Sequence, residues 1–324
     1  MKHIRLNNYS HNINSIVKNL VFIDGVTRSG KLLLGSLVAT FKKMESLEFG
    51  ENFEHFLPSL KLKKCSYDFA KSYLITYLDQ LIYNKMLSRN SNFRYSDITS
   101  IYNYFNPSIY KRRLKEKEGD GVLKKIKSKK PILPLVTHDL MVNFNIFLKL
   151  NIKVKFIEIY RNPFELTYSW LKRGLAKNME KSKREFTMRL EHNKKNYPWY
   201  LYKLPTNWKK LNDTEKCAFY VLSLTKNSIK QHKKYQNKKN IFTTSYTRIT
   251  QNTNQELVKI AKFLNTSTGL KTKFFIKKKK CPNFKISKLI HKKKKFLKKR
   301  LSHKIFNDLL KLESNFNKNI YNLN

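Results

Sequence analysis

Hydrophobic positions fall into short dense runs separated by longer amphipathic stretches, the rhythm of a buried parallel sheet covered by helices. Four predominantly apolar runs predict strands: Leu20–Asp24 (LVFID), Ile132–Val136, Val154–Tyr160 (VKFIEIY) and Asn240–Thr244 (NIFTT). Helices are predicted over Lys31–Lys43, Lys64–Ser88, Leu140–Leu150, Pro163–Arg173, Asp213–Tyr235 and Gln255–Leu264. Asp97–Lys117 reads as two shorter helices broken near Asn106-Pro107, and the last forty residues as basic helix. The Pro163 helix has the clearest start: Asn162 as N-cap, Pro163 in the first turn, and Glu165 placed to answer the cap. Strands alternating with helices imply an α/β fold with an open, mostly parallel central sheet flanked by helices. On such sheets ligands bind at the carboxyl ends of strands. Eight Gly, eight Pro and the absence of repeats or linkers favour one domain over 20–324, preceded by a 1–19 extension and ending in a basic helical segment from about 271. Glu45–Lys130 and Gly174–Asp213 read as helical insertions.

Gly25-Val26-Thr27-Arg28-Ser29-Gly30-Lys31 lies between the first strand and the first helix. Its pattern is G-x-x-x-x-G-K. Glycines allow successive backbone N–H groups to converge on an anion, and the helix N-terminus adds partial positive charge. Arg28 and Lys31 contribute full charges. A nucleoside-triphosphate loop places Ser or Thr at the next position to hold magnesium, but here it is Leu32, which cannot ligate a metal. The expectation is a phosphate cradle without that metal ligand.

A second candidate begins where the third strand ends. Arg161 precedes the helix, so its guanidinium can reach an anion at the strand's carboxyl edge. Ser169 lies two turns past Asn162 on the same face. Taken alone, the segment reads rather as an ordinary capped helix with an exposed arginine and a buried serine; the pairing with the glycine loop turns it into an anion site.

Composition adds a large charge. Lys and Arg number 68 against 22 Asp and Glu, a net +46. From residue 216 to the end there are 28 Lys and Arg against Glu256, Asp308 and Glu313. An anionic partner accounts for this, and so does the joint abundance of Lys, Asn, Ile, Tyr and Phe. Cys65, Cys217 and Cys281 are too few and too scattered for a disulfide framework or a metal knuckle. The first twenty residues lack an apolar signal core, and no run is long enough to span a membrane. A cytoplasmic protein is the expectation.

Taken together, Arg28-Ser29-Gly30-Lys31-Leu32, then Arg161, Pro163 and Ser169, then Ser245-Tyr246-Thr247-Arg248-Ile249 with Ile260–Leu264 resemble the sulfotransferases that use 3′-phosphoadenosine-5′-phosphosulfate (PAPS). The resemblance spans roughly Leu20 to Leu264. It implies a P-loop NTPase-like fold. Gly25, Thr27, Arg28, Ser29, Gly30, Lys31 and Leu32 would hold the 5′-phosphosulfate, and Arg161 and Ser169 the 3′-phosphate. PAPS would be the sulfuryl donor, with no metal. The acceptor would be a hydroxylated molecule, a carbohydrate in the first instance, and no specific nucleic-acid partner is implied. Departures are Lys31-Leu32 in place of two threonines, and the missing Glu of the Y-E-x-L segment.

Sulfuryl transfer resembles phosphoryl transfer in needing alignment and charge stabilisation. Arg28 and Lys31 are the cations nearest the leaving phosphate. The base is either His138, in Thr137-His138-Asp139 after the second strand, or a carboxylate among Glu48, Glu51 and Glu54. Lys271–Lys280 is a candidate cover for the nucleotide, and Trp199, Tyr200 and Trp208 are candidates for an acceptor cleft. Two other functions fit parts of the sequence: a P-loop kinase using ATP and magnesium, against which Leu32 speaks, and a non-catalytic nucleic-acid binder, for which no recognition motif is present.

Overall fold

The computed structural model describes residues 14–104, 106–182, 185–192, 194–201, 205, 207–283 and 289–321. Five parallel strands form its centre: β1 (Asn19–Asp24), β2 (Glu48–Phe49), β3 (Ile132–Val136), β4 (Lys155–Tyr160) and β7 (Ile241–Ser245), in the spatial order β2-β3-β1-β4-β7. β1 pairs with β3 from Asn19↔Ile132 to Ile23↔Val136, and with β4 from Val21↔Lys155 to Asp24↔Glu158. Both sheet faces are buried, which is why the strands read as dense apolar runs. Leu20, Phe22 and Phe156 point into one core layer, and Val21, Ile23, Ile157 and Ile159 into the other.

Helices cover both layers. α1 (Lys31–Val38), α11 (Thr253–Phe263) and α12 (Leu270–Lys278) lie on the second face. α2 (Glu51–Lys61), α3 (Tyr67–Met86), α5 (Asp120–Lys129) and α6 (Phe144–Lys149) lie on the first. α4 (Pro107–Arg113) lies within the insertion between β2 and β3, ahead of α5. There Arg113 makes a buried two-pronged pair with Glu45 (2.8 and 2.9 Å), and Tyr110 donates to the same carboxylate. After β4 come α7 (Pro163–Lys172), α8 (Leu175–Lys181), an antiparallel hairpin of β5 (Arg189–His192) and β6 (Lys195–Pro198), and the long α9 (Asp213–Tyr235). α10 (Tyr246–Gln251) follows β7 directly. A basic helix, α13 (Ile290–Lys298), and a charge-balanced one, α14 (His303–Phe316), pack on α7 and α9, and a wide turn over Asn317–Tyr321 lies beside β7.

The expected α/β architecture with its parallel sheet and flanking helices is present. Several bounds differ. The first helix ends at Val38 instead of Lys43, where the chain turns and Lys43 takes a left-handed backbone (φ 63°). Leu140–Leu150 divides into a 3-10 turn (Leu140–Asn143) and α6. The Asp97–Lys117 stretch holds a 3-10 turn (Ile101–Asn103) and α4, separated before Pro107. Asn162 caps α7 through its Oδ1, which accepts from the N–H groups of Phe164 and Glu165 (3.0 and 3.4 Å). Glu165 does not return that bond; its carboxylate takes Lys293 Nζ (2.5 Å) and faces Arg161 (3.7 Å). A cation on α13 outcompetes a backbone N–H for it. Among the described residues no helix is long and apolar enough to cross a membrane.

Candidate active site

The carboxyl ends of β1, β3, β4 and β7 bring two sets of residues together. The first is the glycine loop. Gly25 and Gly30 are required by close approach: a Cβ on Gly25 would lie 2.5 Å from the Ile159 carbonyl oxygen, and one on Gly30 would lie 2.4 Å from the Tyr246 ring. Gly30 also takes φ 107°, a conformation costly for any other residue. Trp170 Nε1 donates to the Thr27 carbonyl (2.6 Å) and pins the loop to α7. Ser29 Oγ is buried without a hydrogen-bond partner.

Around that loop the sequence-predicted anion ligands converge. Arg28 Nε donates to Ser169 Oγ (3.1 Å), and Arg161 Nη1 donates to the Arg28 carbonyl (3.1 Å). The Arg161 guanidinium lies over the Tyr246 ring, 4.1 Å from its centre, a cation–π contact that fixes its plane. Thus the glycine loop, the end of β4, α7 and α10 each contribute to one cluster built around two arginines. Lys31 behaves differently. It is only 2% exposed, and its ammonium donates to the Gly25 carbonyl (2.9 Å). Burial lowers its pKa, against the opposing pull of Asp139, Asp24, Glu54 and Glu158. Those four carboxylates explain why the side chain turns inward. Leu32, on the exposed side of α1, offers no ligand atom.

Asp24 ties the strand ends together, accepting from Thr137 Oγ1 (2.9 Å) and the N–H groups of Leu140 (3.1 Å) and Met141 (2.9 Å). Beside it, Glu158 is fully enclosed; burial first, then Asp24, pushes its carboxyl well above the usual range. Asp139 is held in a left-handed backbone (φ 62°), with Oδ1 buried and unpartnered. Burial pushes its carboxyl up to about 7, with Lys31 and His138 pulling the other way.

The two rival bases prove to be partners. Glu54 Oε1 accepts from both the backbone N–H and Nδ1 of His138, each at 2.8 Å. Burial disfavours the Glu54 carboxylate, but the His138 contacts outweigh it and hold the group below its ordinary pKa. An ionised carboxylate only accepts, so the network assigns a proton to Nδ1, and in the neutral imidazole Nε2 then carries the lone pair. The imidazole opens onto a cavity of about 380 Å³ lined by Thr27, Phe49, Glu51, Asp139, Trp199 and Tyr200 among others. A flap of residues 185–188 closes one side, held to α2 by His55 Nε2 near the Phe186 carbonyl (3.2 Å) and Ser59 Oγ near Met188 Sδ (3.5 Å). The shared wall residue Thr27 places this cavity next to the glycine loop.

Of the other candidates, Trp199 and Tyr200 line the cavity while Trp208 packs against Phe219 and Tyr220 in the core. Glu51 lines it too; Glu48 is instead paired with the buried Lys85 (2.5 Å). Lys271–Lys280 forms α12 and its end, anchored where Thr40 Oγ1 donates to Thr272 Oγ1 (2.9 Å), and the basic residue found against α7 is Lys293. Two functional features carry no signal in the sequence: Tyr246 beneath the Arg161 guanidinium, and the pairing of Glu54 with His138. Among the described residues no three His, Cys, Asp or Glu are arranged to hold a metal ion.

Comparison with known proteins adds three findings. The family model described as "Sulfotransferase domain" matches residues 18–314. No curated protein sequence matches the chain. A solved structure, the sulfotransferase domain from the curacin biosynthetic pathway, is similar at 12% identity with a TM-score of 0.44, covering 78% of this chain and 76% of its own.

Proposed function

The chain belongs to the sulfotransferase-domain family, and on that premise we propose that it transfers a sulfuryl group from PAPS to a hydroxyl acceptor, a carbohydrate in the first instance, by in-line displacement. When bound, such a donor supplies the sulfuryl group on a phosphate leaving group. The residues fit it in three respects: glycines whose Cα atoms are tightly enclosed, the unpartnered Ser29 hydroxyl, and a cluster of arginines at the loop's edge. In this reading the N–H groups of 25–31, apart from that of Ser29, which is bonded to the Val26 carbonyl (2.8 Å), and the Ser29 hydroxyl take the 5′ side. Arg161 and Ser169 take the 3′-phosphate. Arg28, lying between them, answers charge developing on the leaving group. Lys31 adds positive charge behind the loop through its bond to the Gly25 carbonyl. Nε2 of His138 accepts the acceptor's proton, with Glu54 fixing the ring and stabilising the cation formed. All cations in this scheme are side chains, consistent with the aliphatic Leu32 where a magnesium ligand would stand.

One observation carries the reading: the Arg161 guanidinium lies 3.1 Å from the backbone of the glycine loop, so one bisphosphorylated nucleotide can touch both. Calorimetry with adenosine 3′,5′-bisphosphate in EDTA tests it. Wild type is expected to bind, and Arg161→Ala to lose about 1.5–3 kcal/mol, the worth of a charged hydrogen bond. No binding by wild type, or equal binding by the variant, rejects the assignment.

A further inference from the structure

The cavity beside His138 carries a charge opposite to that of the chain that builds it. Lys and Arg supply 68 of the 324 residues and outnumber the acids threefold (68 against 22). A wall drawn at random from this composition would be rich in cations. Among the described residues the lining holds no Lys or Arg, and it holds Glu51, Glu54, Asp139 and Glu185. Two polar groups in the wall are more than nine-tenths buried and have no hydrogen-bond partner: Asp139 Oδ1 and Tyr200 Oη, whose residues are 8% and 6% exposed. Buried polar atoms are rarely left unmatched, and those that are need a reason. Both are acceptors able to receive N–H donors.

The four carboxylates are not equivalent. Glu54 is committed to His138. Glu185 accepts from Asn178 Nδ2 (3.1 Å) and faces Arg173 (3.8 Å). Asp139 has its free oxygen, and Glu51, exposed on α2, forms no ion pair among the described residues. Phe49 and the exposed Phe186 add aromatic faces, which attract cations and the C–H faces of sugar rings, while the Trp199 ring already carries the Lys61 ammonium at 5.4 Å.

We propose that the acceptor is a hydroxylated molecule bearing a protonated amine, an amino sugar or amino alcohol, whose ammonium is received by Glu51 and Asp139 while its hydroxyl faces His138. The inference deepens the sulfuryl-transfer reading and rests on it. An ammonium has no lone pair, so the nitrogen is the handle and the oxygen is the nucleophile. The hydroxyl oxygen forms a new S–O bond as the S–O bond to the donor phosphate breaks, and its proton passes to Nε2 of His138. An anionic acceptor such as a uronate would meet like charge at every free carboxylate. A cation next to Asp139 also keeps that carboxyl ionised, against the burial that favours its proton.

The full chain is assayed with PAPS and three oligosaccharide probes: a glucosamine oligomer, its N-acetylated twin and an oligogalacturonide. Release of adenosine bisphosphate and the mass of the product are read. The glucosamine oligomer is expected to have a kcat/KM about tenfold above its twin, the equivalent of one charge contact, with the sulfate on oxygen. Glu51→Gln, at an exposed position, is expected to bring the glucosamine value down toward the twin's, mainly through KM. Absence of a preference for the amine form, whether the twins react alike or neither binds, overturns the inference. So does a preference retained in full by Glu51→Gln. Adenosine bisphosphate binding, measured on the same samples, separates the two levels. If it binds and the preference is absent, only the acceptor class falls; if it does not bind, the sulfuryl-transfer reading falls with it.

Discussion

Arg28 serves the site twice. Its carbonyl receives Arg161, and its guanidinium reaches Ser169, yet its backbone is left-handed at φ 73°. That conformation costs a residue with a Cβ about 1–2 kcal/mol. Arg28→Gly removes the charge and the strain together. Relief of strain is offset by glycine's greater freedom in the unfolded chain, so the urea midpoint is expected to move little. Affinity for adenosine bisphosphate is expected to drop by about tenfold or more, the loss of one charged contact. A lowered midpoint with affinity intact would make Arg28 a structural residue. The convergence of Arg28, Arg161 and Ser169 was legible in the sequence because two motifs, each following a strand, pair in the way the family resemblance implies. The partnership of Glu54 with His138 was not, since the two are 84 residues apart and only the fold joins them. Nor was the inward turn of Lys31, which depends on carboxylates delivered by four separate segments.

At the scale of elements, α7 organises the site. Its N-cap, Asn162, satisfies two backbone donors through Oδ1 and donates from Nδ2 to Glu313 on α14 (3.0 Å). Glu165 and Lys293 join α7 to α13, and Lys294 adds a bond to Glu313 (2.6 Å). Asn162→Ala is expected to destabilise the protein by about 1–2 kcal/mol, the upper range for a lost cap because a second partner is lost with it. Equilibrium urea unfolding measures this; Asn162→Ser, which keeps a cap, should recover about half, and equal losses in the two variants would assign the effect to Glu313 alone. The sheet strands and α9 were readable because buried parallel strands are dense apolar runs and α9 opens on a complete capping box, Asn212 with Glu215. The β5–β6 hairpin, RLEH paired with KNYP, carries no alternation of apolar and polar positions, and β2 has two residues. α2 holds Pro58 in its last turns, which argues against a helix until packing overrides it. Two of these pieces, β2 and α2, supply Phe49, Glu51, Glu54 and His55 to the wall of the cavity beside His138, which is why that side of the site was harder to read than the glycine loop.

For the molecule as a whole, acid is the weak direction. His232 on α9 is 2% exposed, edge-on to Tyr160 with ring centres 5.9 Å apart, and burial lowers its pKa from 6.5 to about 4. At neutral pH both folded and unfolded chains hold it uncharged, and its folding contribution is intact. Below about 6.5 the unfolded chain takes up a proton that the folded chain refuses until near 4, so stability is lost as pH falls through that window. The loss approaches roughly 3 kcal/mol, on top of the self-repulsion of a +46 chain. Urea unfolding at pH 7 and pH 4.5 should show the drop in wild type and a smaller one in His232→Leu; identical pH slopes would remove His232 as the cause. The sheet's margins have a separate consequence. One outer strand is two residues long and the other lies under the Asn317–Tyr321 turn. Open strand edges are where one chain recruits the next into fibrous stacks, and this sheet offers almost none. Resistance to such stacking is therefore built into the backbone and would persist in high salt, where mutual repulsion between copies is screened away.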